Sequence, residues 1–375
     1  MYKVAGTNLF GQWLEEDRII SEFRQLGGNK NNYNFDINCS KLADINWSYN
    51  IFQCGSDFYV TGDWNGKENH LSKVDLPEEC SSVNAESNLA MVGNDYSLML
   101  VDKKSNTMWS IDLQKENTVK KINLNVEAPL ENSSKRARRE SQILKVVTTN
   151  NSCLCLTVDG RVYSGVLPSL LDTSHCIGKV IDVRCGYEHF MLLTDAGRVY
   201  TWGNGRRLQL GHGALDNLES PTEVEALAGI QITKIRAGGW HCFALSEFGD
   251  LYTWGWNDTG QLGVRHPDTK GVLNREGLKS YPLPTLVDIL DENEEQINMD
   301  VKDVGCGSRH SAILLEDNSI WTTGYNKYGQ LGLSPNDHPN LNYLTKTFQS
   351  ENGTEIECGH WTTVLVNRNK CAINK

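Results

Sequence analysis

The sequence predicts an all-β chain: a seven-bladed β-propeller, closed by pairing of its N- and C-terminal strands. Three observations predict it. The first is a repeat. CGYEHFMLLTDAGRVYTWGNGRRLQLG from Cys185, AGGWHCFALSEFGDLYTWGWNDTGQLG from Ala237 and CGSRHSAILLEDNSIWTTGYNKYGQLG from Cys306 align along their length, with a 52-residue step from His189 to His241 and from Gly203 to Gly255. The second is periodicity. Each copy holds a short apolar run (HFMLL, HCFAL, HSAILL), a turn, and a run of alternating aromatic and β-branched residues (RVYTWG, DLYTWG, SIWTTG), which is strand rather than helix patterning. The third is composition: 33 Gly and 10 Trp against 9 Pro suit many tight turns between aromatic-bearing strands.

Taken in chain order, YKVAGTNLFGQ supplies half a repeat, with Gly6 in the place of Gly203. NWSYNIFQCGSDFYVTGDWNG, through Gly62, and GNDYSLMLVDKKSNTMWSID, from Gly93, are weaker copies. NNSCLCLTVDGRVYSG ends at Gly165 with Ser152 where the clear copies have His. At the other end, ECGHWTTVLV supplies the complementary half-repeat. Lys3–Gly6 should therefore pair with Thr362–Val366, completing a seventh blade and removing exposed sheet edges. A unit of about 50 residues with four short strands has the size of a propeller blade. Residues 1–375 are expected to form a single propeller, with a polar and basic loop insertion at 115–142 and an inter-blade loop insertion at 264–300.

Charge and cysteine usage narrow the function classes. The net charge of −11 argues against a broad basic surface that neutralises many nucleic-acid phosphates, while leaving room for a local basic patch. No apolar run is long enough to span a bilayer, so no membrane partner is expected. MYKVAGTNLFGQW lacks a basic segment followed by an apolar one, and the 11 Cys are odd in number, which together lead to the expectation of an intracellular chain. Cys153 and Cys155 read as buried strand residues, because a metal would want a second ligand pair nearby.

TWGNGRRLQLGHG, RAGGWHCFALSEFGDLYTWGWNDTGQLG and CGSRHSAILL resemble regulator of chromosome condensation (RCC) repeats, whose fold is a seven-bladed propeller. The resemblance runs from Ile181 to Val366, about half the chain. Within the family it is similar to a small RCC-domain-containing member associated with a Jumonji-C-domain oxygenase. That likeness implies a Jumonji-C histone demethylase or oxygenase as partner, a link to chromatin and chromosome segregation, a nuclear location with a cytoplasmic share, indirect histone or nucleosome contact, and a monomer.

His189, His241 and His310 occupy one repeat position on separate blades, so they read as a polar contact tying each blade together rather than as a metal site. Cys185, Cys306 and Cys358 share a slot with Ala237 and read as a small buried site. The residues just before the repeated His belong on the rim of one face: Tyr187 and Glu188, Gly239 and Trp240, Ser308 and Arg309, and His360 and Trp361. In the family's nucleotide-exchange member, acidic and His residues in these slots grip the GTPase Ran. Here the slots hold one acid, two Trp, a Tyr and an Arg instead, and Trp, Tyr and Arg are the residue types that anchor protein interfaces. Tyr187, Glu188, Trp240, Arg309, His360 and Trp361 are the candidate partner-binding face, weighed against a mere cap on the channel. Lys135, Arg136, Arg138 and Arg139 form a basic cluster that reads as an import signal or a contact to an acidic partner, weighed against a solvated loop. Arg206 and Arg207 read as a surface turn, aligned with Trp256–Asn257 and Asn326–Lys327, and LVDILDENEEQINMD as a solvated loop. With no phosphate cradle, zinc framework or nucleophile motif, the expectation is a non-enzymatic scaffold without cofactor. Guanine-nucleotide exchange on a small GTPase is the alternative, by fold analogy.

Overall fold

The computed structural model describes residues 1–27, 35–64, 67–77, 88–113, 118–124, 142–265 and 279–367. Among the described residues, helix is confined to the 3-10 turn Glu225–Leu227, and no helix is long and apolar enough to cross a membrane. Seven four-stranded antiparallel sheets make the blades. In blade four the strands are Val180–Cys185, His189–Thr194, Val199–Gly203 and Leu218–Glu223, from the inside out. Blade five runs Ile232–Ala237, His241–Ser246, Leu251–Trp256 and Ser280–Leu286, and blade six Val301–Cys306, His310–Leu315, Ser319–Tyr325 and Asn340–Gln349. The innermost strands of successive blades lie side by side around a central channel, the seventh returning to the first.

Register explains the repeated glycine. His189 pairs with Gly203, His241 with Gly255 and His310 with Gly324. Gly6, Gly62, Gly165, Gly203, Gly255 and Gly324 all have φ between +101° and +138°, where a side chain is strained. A Cβ on Gly203 would also strike the Glu188 carbonyl and His189 Cα. Blade two sets Asp112 opposite Ser97 instead of a glycine, which is one reason its copy of the repeat is weak.

The core is not central. It is divided into seven apolar clusters, each lying between neighbouring blades. Blades five and six, for example, bury Phe243, Leu251, Leu262, Ile313 and Trp321 between them. A single blade therefore cannot hide its own faces, and ring closure is part of folding.

Closure is made by the termini. Tyr2–Thr7 pairs antiparallel with Thr362–Asn367, from Tyr2 opposite Val366 to Gly6 opposite Thr362. Thr354–Gly359 completes this seventh blade on the inside and Ile19–Gln25 on the outside. Two expected loop insertions begin or contain regular structure. Val119–Asn123, within 115–142, is the outer strand of blade two, and Ser280–Leu286, within 264–300, is the outer strand of blade five. Outer strands face solvent on one side; VKKIN holds only Val119 and Ile122, and SYPLPTL is interrupted by Pro282 and Pro284, so neither shows the alternation that revealed the inner strands. Val287 and Ile289 of the acidic stretch sink into the cluster between blades five and six. Lys135–Arg139 lies outside the described residues.

Deleting residues 1–12 would unpair both flanking strands of the closing blade. Its melting temperature is expected to drop by roughly 10 °C or more, with loss of a sharp transition. A truncated chain that melts like the parent would show that the clasp is dispensable.

Candidate partner-binding face

The face is built from the turn G-x-x-H between the first two strands of each clear blade. His189, His241 and His310 are fully buried. They do not tie one blade together, as expected, but reach into the next. His189 Nε2 lies 3.1 Å from Cys242 Sγ, His241 Nε2 2.9 Å from Ser311 Oγ, and His310 Nε2 3.1 Å from Thr363 Oγ1. The partner is the residue after the His slot of the following copy, whose side chain points into the seam. Ser311 Oγ in turn donates to the Gln261 carbonyl at 2.7 Å, and Thr363 Oγ1 to the Gln330 carbonyl at 2.8 Å. Those hydroxyl protons are spent, so Nε2–H must donate and the imidazole is the Nε2–H tautomer. Nδ1 is left buried without a partner in all three. The preceding Gly186, Gly238 and Gly307 make room for the ring: a Cβ on any of them would run into Cε1 and Nδ1. Desolvation pushes each imidazole down to about 3, so all three are neutral at physiological pH.

The glutamines belong to the loop after the third strand. Thr259 N donates to Gln261 Oε1 at 3.0 Å, Tyr328 N to Gln330 Oε1 at 2.9 Å, Arg207 N to Gln209 Oε1 at 2.8 Å and Phe10 N to Gln12 Oε1 at 3.0 Å. This register corrects the sequence alignment: Arg206 corresponds to Asp258 and Lys327, and Arg207 to Thr259 and Tyr328. The N-terminal FGQW is a fourth copy of the loop. The Gln12 carbonyl accepts from Asn50 Nδ2 at 3.0 Å and Thr61 Oγ1 at 2.6 Å, carrying the pattern from blade seven to blade one.

Loop and turn meet on one side of the ring. The Trp240 carbonyl accepts from Trp256 N at 2.9 Å and the Arg309 carbonyl from Tyr325 N at 2.8 Å. Neighbouring turns are also linked, Tyr187 N to Gly239 O at 3.2 Å and Ser308 N to His360 O at 2.9 Å. Tyr187 lies across the channel mouth. Its ring stacks on His360 at 5.8 Å and meets Trp240 edge-on at 5.4 Å, and its hydroxyl bonds Ser308 Oγ. Burial holds the His360 imidazole below its usual range, although Asp95 pulls the other way. Turns of all seven blades line a cavity of about 490 Å³ at this mouth.

Trp361 belongs to a second aromatic group, 5.6 Å from both Tyr325 and Tyr328 and 6.2 Å from Trp47, which also meets Phe10 at 5.8 Å. Arg309 lies over Trp256 at 4.9 Å and forms an ion pair with Asp258. Arg207 sits between Trp240, 4.9 Å away, and Trp256, 3.5 Å away, so it is more than a surface turn. Glu188 is exposed and accepts from Asn204 Nδ2 at 2.8 Å. The six expected residues thus share one face, and sequence reasoning missed Trp47, Arg207, Trp256, Tyr325 and Tyr328. The missed signal was positional: Trp256 and Tyr325 each follow the hairpin glycine.

Cys185, Cys306 and Cys358 line the channel mouth half-buried rather than filling a closed site. Desolvation pushes the Cys185 and Cys358 thiols up to about 12 and raises Cys306 too, so they are poor nucleophiles. Among the described residues, no group of three or more His, Cys, Asp and Glu is placed to hold a metal ion.

These features define a seven-bladed β-propeller with a polar seam relay and an aromatic face. The description "Regulator of chromosome condensation (RCC1) repeat" matches residues 196–245 and 249–314, and a second model of the same repeat matches 180–209, 232–261 and 301–330. The chain therefore carries RCC1 repeats. It is 35% identical over 221 residues to RCC1 domain-containing protein 1 of Mus musculus, covering 50% of this chain and 55% of that one. The chain spans about half the length of the curated relatives it matches. In fold it is similar to human WBSCR16, with a TM-score of 0.73 at 16% identity over 98% of this chain and 99% of that one. Prp20p of Saccharomyces cerevisiae, described with its binding to Gsp1p and histones, superposes with a TM-score of 0.69 at 17% identity over 99% of this chain and 92% of that one.

The buried imidazoles set an acid limit. Each titrates near 6.5 when unfolded and near 3 when folded, so as the pH falls the unfolded chain binds protons first. Stability present above pH 6.5 is lost towards pH 3, about 2 kcal/mol per His by pH 5, which for all three is comparable with a domain's whole margin. Asp44 opposes this, because desolvation raises its carboxyl from 3.8 to about 6 and its protonation adds stability below that. Urea midpoints should fall clearly between pH 7 and pH 5, and equal midpoints would contradict the neutral relay. Gly307→Ala, by driving a methyl into His310, should cost roughly 2 kcal/mol or more in the same measurement.

Proposed function

We propose that the chain is a non-enzymatic scaffold whose G-x-x-H face docks a protein partner. The observation that carries this is the arc of half-buried aromatics and arginines around the mouth, Trp240, Arg207, Trp256, Arg309, Trp361 and Trp47. These residue types dominate binding energy at interfaces, and here they are held on a rigid ring. The partner in this reading is a Jumonji-C-domain histone demethylase or oxygenase, in the nucleus and linked to chromatin and chromosome segregation. The resemblance to RCC repeats motivates this partner, and Prp20p, described with its binding to histones, supports the chromatin link. Histone or nucleosome contact is then indirect, through the partner, and Lys135–Arg139 serves nuclear entry.

Guanine-nucleotide exchange is the second reading, favoured by the fold shared with Prp20p, which binds Gsp1p. Against it stands the chemistry of the face, where the slots keep one acid, Glu188, and one His, His360, and otherwise hold two Trp, a Tyr, an Arg, a Gly and a Ser.

Trp361→Ala and Arg309→Ala should each weaken capture of the purified oxygenase by at least about thirtyfold, equivalent to 2 kcal/mol, with unchanged melting. Neutralising Lys135–Arg139 should alter nuclear entry and leave capture intact. Capture that survives the face substitutions and disappears with the basic cluster would move the site to that cluster. Acceleration of nucleotide release from Ran by more than about tenfold would favour the exchange reading.

A further inference from the structure

The Trp240–Arg207–Trp256–Arg309 stack has a charge pattern at odds with the rest of the chain. The protein carries a net charge of −11. Arg206 adjoins Arg207 in the chain, Arg309 lies over Trp256, and Lys327 holds the position of the blade-six loop that matches Arg206; the acidic residues of the same turns and loops are Glu188 and Asp258. Asp258 is committed to Arg309, and Glu188 accepts from the neutral Asn204. Arg206, Arg207 and Lys327 have no ion-pair partner among the described residues. The patch is locally basic on an acidic protein.

Geometry says which chemistry it suits. The Arg207 guanidinium lies over two indole rings, 4.9 Å from the centre of Trp240 and 3.5 Å from the centre of Trp256. Stacking satisfies the faces of a guanidinium and leaves its in-plane N–H edge free, the edge that grips a carboxylate in bidentate fashion. It also fixes the side chain beforehand, which removes part of the ordering cost of binding. The rings on either side stay half-buried and offer apolar surface next to the charge. An aspartate or glutamate flanked by an apolar side chain matches both features. Nucleic acid matches them poorly, because phosphate binding relies on many distributed cations and the whole-chain charge repels it.

We propose that the stack of Arg207 between Trp240 and Trp256 is a recognition site for an acidic, apolar-flanked segment of a partner protein, with Arg207 as its charged anchor. This rests on the reading that the mouth face docks protein and adds what the docked segment must contain. Lys327 and Arg206 contribute longer-range attraction, and Tyr187 and Trp240 take the flanking apolar residue.

The test is fluorescence anisotropy on the full chain with three labelled probes: a short peptide alternating Asp or Glu with Leu or Phe, its Asn/Gln counterpart, and a single-stranded oligonucleotide. The acidic peptide should bind saturably, and the amide peptide at least roughly tenfold more weakly. Binding should weaken as salt rises. Arg207→Glu should lower affinity for the acidic peptide at least about tenfold, and Arg207→Lys, which keeps the charge and loses the fork, should lower it several-fold. If Arg207→Glu alters the melt, the doubly substituted Arg206→Glu/Lys327→Glu chain, changed outside the stack, should show the weakening. Equal binding of the acidic and amide peptides, tighter binding of the oligonucleotide, or indifference to both sets of substitutions would overturn the proposal. Failure of the broader reading looks different. Purified oxygenase captured equally by wild type and Arg207→Glu overturns the acidic-segment site alone, whereas an acidic peptide that binds while the oxygenase does not overturns the partner assignment alone.

Discussion

A neutral imidazole buried between blades is the constraint on which the clear half of the ring depends. It must be buried, because the seam is the core. It must be a donor at Nε2, because the hydroxyl it meets, or at Cys242 the thiol, already donates to a glutamine carbonyl. It must be uncharged, because nothing in the seam would compensate a cation. The ring fills the space of an absent Cβ at Gly186, Gly238 and Gly307, so the glycine and the histidine are one device. The glutamine that ends the relay is itself held by its loop's backbone. A single interaction thus fixes the angle between blades, the path of the turn and the position of the following loop.

This explains where the repeat was legible and where it was not. The histidine, the glycine opposite it and the QLG loop were visible in the sequence because each seam from blade four to blade seven needs the same chemistry. Blades one to three join differently. Gly93 N donates to Asp44 Oδ2 at 2.7 Å, Tyr49 Oη to the Asn94 carbonyl at 2.6 Å, Asn94 Nδ2 to the Thr149 carbonyl at 2.9 Å, and Thr148 Oγ1 to the Gly93 carbonyl at 2.8 Å. None of these solutions repeats, so no pattern could be read from the residues, although the strands they join are equally regular. The outer strands Val119–Asn123 and Ser280–Leu286 were illegible for another reason, having one face in water and little apolar alternation.

The candidate face was half legible. Residues adjoining the histidine could be placed on a rim because a tight turn leaves them nowhere else to go. Their partners came from a second loop whose register depends on hydrogen bonds to Gln209, Gln261 and Gln330 and not on residue type. An alignment by residue type shifted Arg207 away from its true counterparts, Thr259 and Tyr328. The shift hid the stacking of Arg207 on Trp240 and Trp256.

The two halves of the ring also divide the work of the face. The aromatics and arginines stand on blades four to seven, joined to Trp47 of blade one, while blades two and three present Asp95, Asn150 and Asn151 at the same rim. The relay runs under the aromatic side, from His189 through Thr363, and continues to Asn50 through Gln12. A face that binds through stacked rings depends on their spacing, since an error of an ångström in a packed stack forfeits much of its contact. The turn that carries each ring is the turn whose glycine and histidine are fixed in the seam beneath. The surface geometry is therefore set from below, by buried groups that no partner touches. The chemistry of the exposed slots can differ from one propeller of this kind to another without disturbing the blades that present them.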